Sequence, residues 1–164
     1  MKNVKRILSW LLCLAMVIGF IPAFSLAGNA AVTKSFTKVT AAPSDWSGTY
    51  LIVYESGKVA FNGALSTLDA VSNTVTVTIS NGTIAYTDTL AKSTFTIAAV
   101  SGGYSIKSAS GMYIGRSATS NGMDSAAAYA NTYVNTITMT NGTVKIAGKG
   151  GPALQYYNGG ANSR

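Results

Sequence analysis

The stretch "GGYSIKSASGMYIGR", Gly102 to Arg116, decides how the rest of the chain is read. It is either a glycine-rich anion cradle or a pair of strands joined by a turn. A cradle needs a glycine loop that opens a helix, so that backbone N–H groups converge on the ligand. None of the glycines here opens a helical pattern. Tyr104 and Ile106 instead alternate with Ser105 and Lys107, which is the period of a half-buried strand. The stretch therefore reads as strand, turn, strand.

The same spacing recurs twice. Gly102-x-Tyr104-x-Ile106-x4-Gly111 is matched by Gly48-x-Tyr50-x-Ile52-x4-Gly57 and by Gly142-x-Val144-x-Ile146-x4-Gly151. A short, mostly apolar run follows each second glycine: Val59 to Phe61, Tyr113 to Ile114, and Ala153 to Leu154. Alternating runs precede the second and third copies, Phe95-Thr96-Ile97 and Thr136-Ile137-Thr138. "SFTKV" (Ser35–Val39) and a loop with Pro43 and Trp46 precede the first. Self-similarity at such intervals marks a repeat architecture. Copies that start at Gly48, Gly102 and Gly142 suit three strand–turn–strand units closing a β-trefoil-like barrel. A β-sandwich or an irregular barrel is the alternative.

The period elsewhere is also two. "TVTVTI" (Thr74–Ile79), "TFTIAAV" (Thr94–Val100) and "NTITM" (Asn135–Met139) alternate in this way. Asn81-Gly82 and Asn141-Gly142 each separate two such runs. Asn-Gly accepts the positive φ angles of a type I′ turn, so both predict tight hairpins. Only "MDSAAAYANTYV" (Met123–Val134) suggests helix, and it is short enough for a loop or a single turn. The predicted class is all-β.

Residues 1–30 stand apart. Lys2, Lys5 and Arg6 precede an uncharged apolar run from Ile7 to Ile21, which Pro22 and small residues end. That order is a secretory signal peptide. The run falls short of the roughly 20 apolar residues that span a bilayer. Cleavage is expected within residues 27–31, which predicts a secreted protein with no membrane attachment afterwards. The remainder, 31–164, is long enough for one core and forms a single all-β domain. The sequence runs only from Gly151 to Arg164 after the third copy, whereas much longer stretches follow Gly57 and Gly111 before the next copy starts. The last repeat therefore reads as unfinished, and the sequence as a fragment of a larger protein.

Composition narrows the chemistry. Residues 31–164 contain no Cys and no His, nine basic residues and five acidic ones. Disulfide stapling, His or Cys catalysis and His or Cys metal sites are excluded there. A net charge of +4 without a basic run is no nucleic-acid footprint. The acids are Asp45, Glu55, Asp69, Asp88 and Asp124, spread along the chain, and no pair is marked as the two carboxylates a glycosidase needs. "GKGGP" (Gly148–Pro152) lacks the spacing of a phosphate loop and follows a strand pattern. No catalytic residue, metal or cofactor is expected, and an enzyme is the least favoured class.

Binding remains. Tyr156 and Tyr157 are adjacent, so one of them points outward if they lie on a strand. They sit between Gln155 and Asn158, and a flat ring beside amides suits a sugar. Trp46, Gln155, Tyr156, Tyr157 and Asn158 are the candidate ligand-binding residues.

The glycine–tyrosine–isoleucine units resemble those of ricin-type β-trefoil domains. There a Gly-x-Tyr-x-Ile strand turns through Ser-Gly into an aromatic–aliphatic pair. From "SFTKVTAAPSDWSGTYLIVYESGKVAFNG" onward the chain is also similar to an accessory module of large secreted proteins from Gram-positive anaerobes. The resemblance implies a trefoil-like, non-catalytic module that binds an extracellular glycan or cell-wall polymer. The runner-up is a structural spacer or adhesin segment without a small-molecule ligand. Gln155-Tyr156-Tyr157 is the sole approach to the Gln-x-Trp of ricin-type lectins, so no lectin residue is carried over.

Overall fold

Alternating Thr, Ser and β-branched residues make strands wherever a turn allows the chain to fold back. The computed structural model describes residues 34–157, and these are all-β with two short helical turns. The expected signal peptide at residues 1–30 lies outside the described residues, as does Asn158. The strands are β1 (Ser35–Thr37), β2 (Gly48–Tyr50), β3 (Val53–Tyr54), β4 (Val59–Phe61), β5 (Thr74–Thr76), β6 (Ile79–Ser80) and β7 (Thr83–Ala85). Helix α1 (Asp88–Lys92) leads into β8 (Phe95–Val100), β9 (Gly103–Ser108), β10 (Tyr113–Gly115) and β11 (Asp124–Ala126). A 3₁₀ turn, η1 (Asn131–Tyr133), leads into β12 (Asn135–Thr140) and β13 (Thr143–Gly148).

All pairings are antiparallel. β1, β7 and β6 form one sheet, and β3, β4 and β5 another. In the largest sheet β2 pairs β8 and β8 pairs β9. The far edge of β9 is shared between β12, at Tyr104, and β10, at Ile106 and Lys107. β11 extends β10, and β13 extends β12. The sheets are open, and among the described residues no pairing closes a barrel.

The second and third repeats match in register as well as in sequence. Ile97 faces Ile106 in the β8–β9 hairpin, and the corresponding Ile137 faces Ile146 in β12–β13. The following turns match too. Gly111 N–H donates to Ser108 O and Ser108 N–H to Met112 O; Gly151 N–H donates to Gly148 O and Gly148 N–H to Pro152 O. Gly111 and Gly151 take φ of 96° and 102°, the left-handed position that closes a three-residue hairpin loop. The junctions between copies also correspond: Tyr50 faces Phe95, and Tyr104 faces Asn135.

The first repeat departs by one residue. Its turn is Glu55–Lys58, with Tyr54 facing Val59, and Lys58 rather than Gly57 holds the positive φ, at 52°. The core alignment survives this shift, because Phe61 N–H still reaches Ile52 O as Leu154 N–H reaches Ile146 O.

These registers lay apolar residues in rows. Ile97, Ile106 and Ile114 cross β8, β9 and β10 and are 4%, 0% and 2% exposed. Phe95, Leu68, Trp46 and Ile137 complete the buried centre, with Ile52, Phe61, Ile146 and Leu154 half-buried against it. A second, smaller cluster joins Ala60, Val77, Ile84 and Leu90. At Gly103 the second copy packs closely against the strand that opens the third. A Cβ there would sit 2.5 Å from the Asn135 carbonyl oxygen, and its φ is 150°.

Both Asn-Gly turns are two-residue loops with positive φ at both positions, Asn81 49° and Gly82 72°, Asn141 50° and Gly142 75°. Three local details differ from the sequence reading. "TVTVTI" is divided between β5 and β6, with Val77 turning inward to the second cluster between them. "MDSAAAYANTYV" supplies a strand, β11, as well as the single turn η1. Helix α1 has no counterpart in the sequence reading. Its signal is a cap, because the Thr87 hydroxyl accepts the Leu90 N–H at 3.2 Å, Asp88 lies in the first turn and Lys92 in the last. Five residues are too few to show a helical period.

Candidate functional site

Aromatic rings reach the surface of this fold in three pairs, and what covers each ring decides which can meet a ligand. Phe36 and Tyr86 stack at 5.9 Å between centroids, and Lys34 Nζ lies over the Tyr86 ring at 5.5 Å. Tyr113 and Tyr129 meet edge to face at 5.4 Å, with Lys107 Nζ over Tyr113 at 5.1 Å. In both pairs an ammonium already occupies a ring face. The third pair, Tyr54 and Tyr156, has centroids 5.1 Å apart and planes tilted by 35°. It carries no such lysine among the described contacts. Tyr54 is 44% exposed, and Tyr157, next along the chain from Tyr156, is 59% exposed.

The chain builds this third pair from two distant segments. Tyr54 ends β3, where the four-residue turn begins. Its ring lies across Gly57, where a Cβ would stand 2.5 Å from Tyr54 Cδ1. Any larger residue there would push the ring away. Tyr156 arrives from the third repeat, just beyond Leu154, which is anchored to Ile146 by a backbone hydrogen bond of 2.8 Å. The first and third repeats thus meet at this surface. Glu55 follows Tyr54 directly and pairs with Lys38, Nζ to Oε2, at 2.6 Å with both side chains exposed.

The residues expected from sequence are brought together only in part. Gln155 and Tyr157 are exposed and Tyr156 is half-buried, and the three lie outside any strand. Trp46 is elsewhere in kind. It is 6% exposed, packs beside Tyr50 at 6.3 Å and sits in the main core, so its ring offers no open face. Its loop setting resembles a surface position, but the Tyr50 and Tyr104 strands close over it. Tyr54 is the member that sequence reasoning missed. It shares the parity of Tyr50 and Ile52, which reads as core; the signal was Gly57, in the turn that follows.

Several polar groups that could serve chemistry are engaged internally. Asp45 accepts the Ser47 N–H and hydroxyl, both at 3.0 Å. Asp124 accepts Arg116 Nη1 at 2.8 Å, and the remaining guanidinium bonds go to the Ser120 carbonyl and hydroxyl and the Asn121 carbonyl. A shallow cleft beside Arg116, walled by Ile114, Met123, Ile146 and Leu154, has the Asn135 amide in its lining. That amide donates to the Ile114 and Tyr133 carbonyls. Among the described residues no group of three or more Asp, Glu, His or Cys gathers as a metal site. No helix among them is long and apolar enough to cross a membrane. Comparison with protein-family models, curated proteins and solved structures returns no match.

Proposed function

We propose that this chain is an exported, non-catalytic module that binds an extracellular glycan or cell-surface polymer. Tyr54, Tyr156 and Tyr157 are its platform and Gln155 its adjacent amide. The observation that carries this reading is the Tyr54–Tyr156 pair, with the Tyr54 ring exposed and Tyr156 half-buried, beside a largely exposed Tyr157. A sugar ring presents an apolar face that stacks on an aromatic and hydroxyls that need donors and acceptors. A tyrosine cluster bordered by an amide and a Lys–Glu pair meets both needs at low ordering cost, since tyrosine side chains are rigid.

The fold we propose for the module is trefoil-like. The matched hairpins, turns and junctions of the repeats support it, as does a core to which all three repeats contribute. Export rests on the basic and apolar order of residues 1–30.

A panel of immobilised plant, fungal and bacterial-wall polysaccharides tests the reading. The wild-type chain is retained on at least one. Tyr157→Ala and Tyr54→Ala weaken that retention by roughly tenfold each, the usual cost of removing a central aromatic. Retention on none, by a chain that unfolds cooperatively, would sink the glycan reading and favour a structural spacer.

A further inference from the structure

We propose that Asn141 is a site of spontaneous backbone modification, converting to isoaspartate ahead of the other described Asn-Gly pairs. Asn-Gly occurs at 62–63, 81–82, 121–122, 141–142 and 158–159, the last outside the described residues. The chemistry is the same at each. The glycine backbone nitrogen attacks the asparagine side-chain carbonyl carbon. The bond from that carbon to the amide nitrogen breaks, and ammonia leaves with the proton lost from the attacking nitrogen. Water then opens the cyclic imide at either carbonyl, giving aspartate or isoaspartate. Glycine permits the attack because it has no side chain to obstruct it.

What differs between the pairs is how the fold holds the reacting atoms. Gly63 N–H donates to Ser93 O, and the Asn62 side-chain oxygen accepts from Ala64 N–H and the Ser93 hydroxyl. The nucleophilic N–H of that pair is engaged, and two hydrogen bonds fix the orientation of the Asn62 side chain. The Asn81 turn is tied down by Lys38 N–H, which donates to Gly82 O at 2.8 Å. At Asn121 the carbonyl accepts from Arg116 Nη2, and a Cβ on Gly122 would stand 3.3 Å from the guanidinium carbon. Asn141 and Gly142 are both exposed, and apart from the adjoining residues no described atom lies within 4 Å of where a Gly142 Cβ would be. Among the described residues, their turn is held by the hydrogen bonds of its two strands.

The product has a structural effect. Isoaspartate adds a methylene to the main chain inside a loop whose register, Thr140 opposite Thr143, leaves room only for Asn141 and Gly142. The change loosens the β12–β13 hairpin and with it the seat of Ile146.

The experiment incubates the full chain at mildly alkaline pH, folded and in denaturant, and follows each Asn-Gly peptide by mass and isoaspartyl labelling. In the folded chain Asn141 leads the four, on the order of tenfold ahead of Asn62, the factor set by hydrogen bonds that must first open. In denaturant the four convert at similar rates. Asn141→Gln removes the leading product without altering the far-ultraviolet circular dichroism. The proposal is overturned if another of the four leads, if folded and denatured chains give one order, or if the folded chain leaves Asn141 intact while the denatured chain converts.

Discussion

Replacing the equivalent isoleucines of the three repeats, Ile52, Ile106 and Ile146, by alanine removes the same atoms from three different depths. Ile106 is fully buried, with Ile97 opposite it on one side and Ile114 on the other, both within 4% of full burial. Strands hold it on both edges, so the site cannot collapse around a void. Ile106→Ala should therefore cost about 3–4 kcal/mol, in the upper half of the range for such deletions. Ile52 and Ile146 are half-buried, and part of their surface stays in contact with water in the folded chain. Their replacement should cost about 1–2 kcal/mol each, because less apolar area is returned to water. Against a total of about 5–15 kcal/mol for a domain of this kind, the Ile106 change removes a large share of stability. The melting temperature falls by roughly 10 °C. Urea unfolding followed by fluorescence reports this directly, since Trp46 lies in the same core cluster and is the sole tryptophan after residue 33. Equal losses at Ile106 and Ile146, or a loss at Ile106 below about 1 kcal/mol, would refute the depth ordering that the registers produce.

Two further outcomes follow from local geometry. Gly103→Ala forces a Cβ against the Asn135 carbonyl at a strained φ, and should destabilise the chain by about 2–3 kcal/mol in the same urea assay. Thr87→Ala removes the hydroxyl that caps α1 and should cost about 1 kcal/mol, while Thr87→Ser keeps most of it; thermal melts of the pair separate the two.

The features legible in the sequence were those encoded within a few neighbouring residues. Asn81-Gly82 and Asn141-Gly142 dictate their turns by backbone chemistry, and alternation in "TFTIAAV" and "NTITM" sets which side chains face inward. The glycine–isoleucine spacing carried further, because its second and third copies share register at Ile106 and Ile146. What escaped depends on contacts distant in sequence. Trp46 sits in a polar loop and is buried only because Tyr50 and the Tyr104 strand pack over it. Tyr54 is on the inward parity of its strand, yet the one-residue shift of the first turn leaves its ring on the surface over Gly57. Helix α1 escaped for a different reason: its evidence is a single cap rather than a period. Gln155, Tyr156 and Tyr157 of the candidate platform were readable as "QYY"; Tyr54 required two repeats to be brought together.

The β2–β8 pairing sets an order of events in time. Tyr50 and Phe95, which face each other there, lie far apart along the chain, with β3 to β7 and α1 between them. The β8–β9 and β12–β13 hairpins instead close over Ser101-Gly102 and Asn141-Gly142 alone. Bringing the distant ends together costs about 3 kcal/mol more loop entropy than closing a tight hairpin, each doubling of length adding about 0.6 kcal/mol. The two hairpins therefore assemble first and offer β8 as a ready template. Until β2 docks, the edge of β8 beside Phe95 lacks its partner and is open to other chains.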